Sequence, residues 1–228
     1  MAGDADLARV AALMADRGRA AILLVLLGGR PQSASALADA AGMSRPSASG
    51  HLRKLVDGGL LVVEPVGRRK LYRLATAVGD AVEGLLLVAP PAEVTSLRTA
   101  LRGDNLRRAR MCYDHLAGTV GVAVAEALVG RGFLVEDDGS YRVSPDGVRG
   151  LSAVGIEVDA LDRGGRPLAR RCMDWSERRY HLAGSLGAAL MSRFVELRWL
   201  RLHEASRVVS LTPDGRQGLA TWLEREVA

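Results

Sequence analysis

Apolar positions recur along this chain in short periodic stretches separated by glycine, proline and serine. The clearest stretch runs from residue 34 to residue 60. Leu37 and Ala38 give a first segment an apolar face with one small residue, where a partner helix can come close. Gly42 follows, able to take the left-handed conformation that ends a helix. Ser44 supplies an N-cap oxygen, and Pro46 falls in the first turn, where its missing N–H costs nothing. Ala48, Leu52 and Leu55 then recur at spacings of four and three, one face of an α-helix. The opposite face carries Arg45, Ser47, Ser49, Gly50, Arg53 and Lys54, small and polar at its start and basic further on. A helix that enters a major groove needs such a face: slender residues where backbone meets bases, and cations to reach phosphates.

The pattern then changes period. Asp57-Gly58-Gly59 closes the helix, residues 60–66 are β-rich, Gly67-Arg68-Arg69-Lys70 reads as a basic turn, and Leu71-Tyr72-Arg73-Leu74 reads as a second strand. Helix, turn, helix, strand, cationic turn and strand in this order predict a winged helix-turn-helix with a basic wing. Double-stranded DNA is the partner this implies. Arg45, Ser47 and Ser49 are the candidates for base edges; Arg53, Arg68, Arg69 and Lys70 are the candidates for phosphate or the minor groove. The alternative is a winged fold used only for protein contacts, with Arg68, Arg69 and Lys70 as an ordinary solvated turn.

Here the chain resembles a family. The segment LADAAGMSRPSASGHLRKLVDGGLLVVEPVGRRKLYRLA is similar to the DNA-binding core of ArsR-type winged-helix transcriptional repressors, over about residues 5–90. The likeness is most specific at Ser49-Gly50-His51-Leu52 and at the Gly59-Leu60 step. It implies a homodimer on a palindromic operator, released by an inducer. The family's usual metal sites do not carry over. The first helix of the motif has Ser35, Ala36, Leu37 and Ala38 where paired Cys would stand, and the helix after the wing offers only Asp80 and Glu83.

Around this core, residues 4–15 read as an amphipathic helix with Leu7, Val10, Ala11 and Met14 on one face, and residues 19–28 as a more buried one. Gln32-Ser33 is taken as the start of the helix-turn-helix. Residues 76–89 form a helix whose Leu85, Leu86, Leu87 and Val88 are too apolar to face water, so they belong to an interface or an interdomain core. Pro90-Pro91 stops it and marks the domain boundary. Residues 93–109 read as a further helix.

The second half contains a duplication. His115-Leu116-Ala117-Gly118 recurs as His181-Leu182-Ala183-Gly184, and Gly121, Ala123, Val129 and Leu134 match Gly187, Ala189, Val195 and Leu200. Both copies end on a β-like stretch and a Ser/Thr-Pro-Asp-Gly helix start, at Ser144 and Thr212. The expected fold is therefore mainly α with short β-hairpin wings (α+β). Residues 1–90 would be the winged helix-turn-helix DNA-binding and dimerisation domain. Residues 91–228 would be an effector domain with repeats at about 112–150 and 172–220 about a pseudo-twofold.

Candidate sensor chemistry lies at the start of each repeat: Cys112 and His115 in the first, Cys172, Trp175, Arg179 and His181 in the second. Cys112 and His115 are read as one helical turn apart, and Cys172 as pointing away from His181 on a straight helix. That reading favours a pocket or a thiol pair over a four-ligand zinc site at Cys112, His115, Cys172 and His181. Eight of the nine aromatic residues follow residue 112, which favours a small organic inducer. Thiol redox and metal response are the alternatives, and a plain core is the structural one. No cofactor is required. No enzyme is expected: there is no Gly-rich phosphate loop, G-x-S-x-G or H-E-x-x-H, and only Cys172 with His181 or His115 offers a remote nucleophile–base pair.

Composition changes this picture little. The 228 residues carry net charge +5, consistent with a polyanionic partner, but Lys54 and Lys70 are the only lysines and arginine makes up the rest of the 31 basic residues. Such a bias reflects base composition as much as function. No apolar run approaches the roughly 18 residues of a membrane span, and two cysteines make no disulfide framework, so a cytoplasmic location is expected.

Overall fold

The computed structural model describes residues 4–94, 96–162, 165–204 and 206–227. The chain divides into two compact units, one running to Leu85 and one beginning at Leu86, with Glu204 and Ser206 grouped with the first. The division falls inside a helix, a few residues before Pro90.

The first unit is built from α1 (Leu7–Met14), α2 (Arg17–Leu26), β1 (Gln32–Ser33), α3 (Ala34–Ala40), α4 (Arg45–Asp57), β2 (Leu61–Val66), β3 (Arg69–Leu74) and α5 (Val78–Val88). Each of the first four helices begins at a side chain that accepts a backbone N–H: Asp6 from Arg9, Asp16 from Arg19, Ser33 from Ala36 and Ser44 from Ser47. Gly42 and Gly59, at the ends of α3 and α4, sit at φ +66° and +74°, where a side chain would be strained. Leu23, Leu26, Leu37, Leu52, Leu55 and Leu74 make the core, so the apolar face of α4 is the inner one. Gln32 and Ser33 lead into the helix-turn-helix as expected, with an added role. They form a short third strand against β3, in register Gln32↔Tyr72, and Ser33 caps α3. The β2–β3 hairpin pairs Leu61 with Leu74 through to Val66 with Arg69, leaving Gly67-Arg68 as its tip. None of the α1 residues is buried, and Leu85 and Val88 of α5 are exposed.

The second unit comprises α6 (Leu97–Arg108), β4 (Arg110–Cys112), β5 (His115–Ala117), α7 (Gly118–Gly130), β6 (Leu134–Asp137), β7 (Ser140–Val143), α8 (Pro145–Ser152), α9 (Val158–Asp162), β8 (Arg170–Met173), β9 (Tyr180–Ala183), α10 (Gly184–Glu196), β10 (Leu200–Leu202), β11 (Val209–Leu211) and α11 (Pro213–Leu223). Helix α6 is shorter than the expected 93–109, and Thr95 of that stretch lies outside the described residues. The same series appears twice: hairpin, helix, hairpin, capped helix. The leading hairpin corrects the sequence reading, which began each copy with a helix. His115 and His181 stand on strands, and the helices start at the glycines that follow.

The two copies are stitched reciprocally. The leading strand of the second, β8, pairs with the trailing hairpin of the first at Ser140↔Arg170, and Tyr141 N donates to Ala169 O at 3.0 Å. The leading strand of the first makes the equivalent bridge at Arg110↔Val208, and Val209 N donates to Ala109 O at 3.0 Å. Within each copy, paired glycines admit close backbone approach. Gly118 and Gly184 sit at φ +81° and +87°, and a Cβ there would lie 2.5 Å from Arg107 O and 2.6 Å from Pro167 O. A Cβ at Gly147 or Gly215 would run into the carbonyl of Phe133 or Trp199. Aromatic rings fill the shared core: Phe194 stacks on Trp199 at 5.6 Å, and Trp222 meets Phe194 edge-on at 5.9 Å. The Trp222 indole N–H donates to Gly150 O at 2.8 Å.

Gly147→Ala is therefore expected to destabilise the protein by about 1–3 kcal/mol through overpacking. Gly103→Ala, in α6 with open space around its Cα, is expected to be neutral or stabilising by up to about 1 kcal/mol. Urea unfolding of the second unit's tryptophan signal separates the two.

Candidate nucleic-acid interface and Cys–His cluster

In the first unit the cap at Ser44 sets the start of α4. Ser44 Oγ accepts from Ser47 N at 3.3 Å and donates to Ser47 Oγ at 3.0 Å, which leaves Ser47 its own hydroxyl proton to donate. Ala48, Leu52 and Leu55 are buried, and the opposite face, with Arg45, Ser47, Ser49, Arg53 and Lys54, is exposed. His51, between the faces, lies with Nδ1 3.5 Å from Asp16 Oδ1, and a Cβ on Gly18 would sit 2.8 Å from its Nε2. That close fit fixes α4 against the start of α2. On the wing, Arg68, Arg69 and Lys70 are all exposed. Arg73 is drawn aside into an ion pair with Glu64. All seven residues read from the sequence as DNA contacts thus lie at the surface of one unit, on one helix and one hairpin.

In the second unit, strand pairing places Cys112 directly opposite His115 and Cys172 directly opposite His181. Directly opposed residues of antiparallel strands project from the same face. The helical argument that separated Cys172 from His181 therefore fails. A two-residue and a six-residue hairpin connection each return the chain to the same register, so spacings of three and nine are equivalent. Ligand atoms of Cys112, His115, Cys172 and His181 all lie within 4.8 Å of one another. The two sulfurs are 4.0 Å apart, no disulfide joins them, and the two Nε2 atoms are 3.2 Å apart. Cys112, His115 and His181 are buried, and Cys172 is partly so.

Two carboxylates orient the rings. Asp114 Oδ1 stands 3.1 Å from His115 Nδ1, and Asp174 Oδ2 stands 3.4 Å from His181 Nδ1. Each Asp follows its Cys by two residues, so the recurring Cys-x-Asp is the signal that sequence reading passed over. Asp114 is held in turn by Arg166, at 2.5 Å and 3.1 Å. Asp174 is wholly buried: Oδ1 faces Arg110 Nη2 at 2.9 Å and accepts from Ser176 N and Oγ, and Oδ2 accepts from Gly118 N at 2.7 Å. Burial opposes ionisation of both carboxyls. It is outweighed at Asp114 by hydrogen bonds from His115 and Arg166, which bring it to about 2, and at Asp174 chiefly by the Arg110 charge. The Cys172 thiol is held far below the usual thiol range, first by the Cys112 sulfur and then, against burial, by the two imidazoles. At His115 burial works against the charged form, but hydrogen bonds to Asp114 and Cys172 raise its affinity for a proton.

The other sensor candidates are engaged elsewhere. Trp175 lies under Arg110, whose Cζ is 4.5 Å from the ring centroid, and exposed Arg179 pairs with Glu126. Phe133, Phe194, Trp199 and Trp222 pack on one another. The cavity lined by Leu116, Gly121, Leu182, Gly187 and Phe194 holds about 20 Å³, room for about one water.

A helix-turn-helix whose second helix presents a small, polar and basic face, followed by a cationic hairpin, defines a winged helix-turn-helix DNA-binding unit. Comparison with known proteins places it. A helix-turn-helix domain family matches residues 14–64. The HTH-type transcriptional regulator YdfF of Bacillus subtilis (strain 168) is 40% identical over 212 residues, spanning 92% of this chain and 94% of that protein. The chain belongs to the HTH-type transcriptional regulators. Similar solved structures include a homodimeric winged helix-turn-helix DNA-binding domain from Mycobacterium bovis, 33% identical, covering 39% of this chain and 89% of that one with a TM-score of 0.34. They also include the cadmium sensor CmtR of Mycobacterium tuberculosis, 33% identical, covering 40% and 94% with a TM-score of 0.34. Among the described residues no helix is long and apolar enough to cross a membrane.

The buried Arg110–Asp174 pair makes a sharp expectation. Arg110→Ala leaves the Asp174 carboxylate without its cation and should lower stability by about 3–5 kcal/mol. Exposed Arg179→Ala should change it by less than about 1 kcal/mol. Parallel urea titrations read both.

Proposed function

We propose that this regulator is a homodimeric repressor that reads a short inverted repeat in duplex DNA and is released by a signal received in its second unit. The observation that carries the reading is the joint exposure, on one unit, of the polar N-terminal half of α4 and the cationic wing. Arg45, Ser47 and Ser49 lie where a recognition helix meets base edges, and their small or forked side chains suit a groove floor. Arg53, Arg68, Arg69 and Lys70 supply phosphate contacts that set register and salt dependence.

The apolar residues left exposed support the dimer. Leu7 on α1 is 77% exposed, and Leu85 and Val88 on α5 are 50% and 79% exposed. Leucines left to water on two helices of a DNA-binding unit are what a twofold interface covers. An inverted-repeat operator follows from that symmetry. The second unit, with its own core and buried titratable cluster, supplies the chemistry a signal can act on. A small organic inducer is the signal favoured, and an open pocket of about 390 Å³ lined by Arg131, Phe133, Asp146, Arg149 and Gly150 offers it room in the second unit.

Replacing both Arg68 and Arg69 by Ala should weaken binding to every duplex sequence and flatten the dependence of log affinity on log salt by about one unit per lost phosphate contact. Arg45→Ala should instead narrow the gap between operator and random DNA, by about 1–3 kcal/mol. Unchanged affinity and slope in the wing variant would remove the wing from the interface. A monomer at micromolar concentration that still binds the full operator would remove the dimer.

A further inference from the structure

We propose that Cys112, His115, Cys172 and His181 bind one divalent ion of the zinc class as a closed four-ligand centre that fastens the two repeats of the second unit together. This goes beyond the DNA-binding reading and rests on none of it.

The distances between the donor atoms fit. Zinc bound by sulfur at about 2.3 Å and nitrogen at about 2.0–2.1 Å in a tetrahedron places two sulfurs about 3.8 Å apart and two nitrogens about 3.3 Å apart. The structure has the sulfurs at 4.0 Å and the Nε2 atoms at 3.2 Å. These two separations match those of a tetrahedral site, all four donor atoms lie within 4.8 Å of one another, and the sulfurs stand well beyond the roughly 2.05 Å of a disulfide.

The orientation of the rings is the second observation. Asp114 Oδ1 lies 3.1 Å from His115 Nδ1 and Asp174 Oδ2 lies 3.4 Å from His181 Nδ1, so a carboxylate stands behind the outer nitrogen of each ring. The inner Nε2 atoms face each other 3.2 Å apart in a buried site, a separation that a cation between them would bridge. A carboxylate behind each imidazole is the arrangement that orients and strengthens histidine ligands of zinc.

Charge balance is the third. Two thiolates cancel the two charges of the ion, and the supporting carboxylates already have cations of their own, Arg166 on Asp114 and Arg110 on Asp174. Two sulfur and two imidazole donors favour zinc and its soft neighbours over magnesium or calcium, which take oxygen. With four protein ligands no position is left for a substrate, so the centre is structural rather than catalytic. One Cys–His pair comes from each repeat, so the ion adds a direct bond between two hairpins that belong to separate sheets.

The test uses the full-length protein purified without chelator. Native mass spectrometry should show one zinc per chain. After zinc is removed under reducing conditions, Co²⁺ should restore a folded protein with the visible d–d bands of tetrahedral cobalt and a thiolate charge-transfer band. Cys172→Ser should lose about half of that charge-transfer intensity. Asp114→Asn, which keeps all four ligands, should bind Co²⁺ about 10–100-fold more weakly. It should keep the same band positions, which a variant that merely failed to fold would not. Reduced wild-type protein that takes up neither zinc nor Co²⁺ overturns the proposal. So does a Cys112–Cys172 disulfide in the purified protein whose reduction yields no metal uptake. Metal content is read without DNA, so its failure is distinct from failure of the DNA-binding reading.

Discussion

The second unit depends on the burial of Asp174 against Arg110. Both side chains are fully removed from water. Two such charges cost several kcal/mol each to desolvate, a cost offset by their mutual attraction and by the hydrogen bonds around them. Asp174 reaches in several directions at once, while Arg110 Nη2 faces it without a hydrogen bond of its own. Asp174 gathers its own loop through the Ser176 and Glu177 amides, accepts the first amide of α7 from the other repeat, and faces His181. Arg110 in turn donates to Leu106 O and Ser176 Oγ and lies against Trp175. One carboxylate thereby joins the start of one repeat to the hairpin loop of the other and sets the ring that completes the Cys–His cluster.

The first unit works by a different constraint, the two-sidedness of α4. Its buried side needs Ala48, Leu52 and Leu55 at helical spacing, and its outer side must stay slender enough to approach a groove. Ser44 and Pro46 fix where the helix begins, and His51, held beside Asp16 and Gly18, fixes how it sits. The wing's cations are displayed by a hairpin whose register is set by six consecutive pairs. DNA binding therefore draws on a rigid frame, with few of its residues buried and none of its proposed contacts carrying the fold.

Much of this was legible in the residues themselves, because it rests on local chemistry. Helix caps, left-handed glycines, apolar spacing of three and four, and a basic turn between β-rich runs act within a few positions of one another, so α3, α4 and the wing could be placed before any contact was known. The duplication was legible too, since paired glycines recur at near-constant spacing and their role is to admit backbone where a Cβ would collide. The seven proposed DNA contacts needed no more than this periodicity.

What sequence reasoning missed has a common cause. The segments holding Cys112 and His115, and Cys172 and His181, are strands of three or four residues. Strands this short carry no periodic signal; each hairpin pairs its own two strands, and one strand of each also bridges to the other repeat. Read as helices, they put the two cysteines in unlike positions; as hairpins they put them in equivalent ones. The aromatic residues pose a similar problem. Their enrichment is visible in the chain, but whether rings line a pocket or fill a core depends on what packs beside them. The sequence by itself determined the winged helix-turn-helix, the duplication and the identity of the four clustered side chains. Only the tertiary structure decided that those four converge, because convergence rests on pairing between residues about sixty positions apart, and no local rule reaches that far.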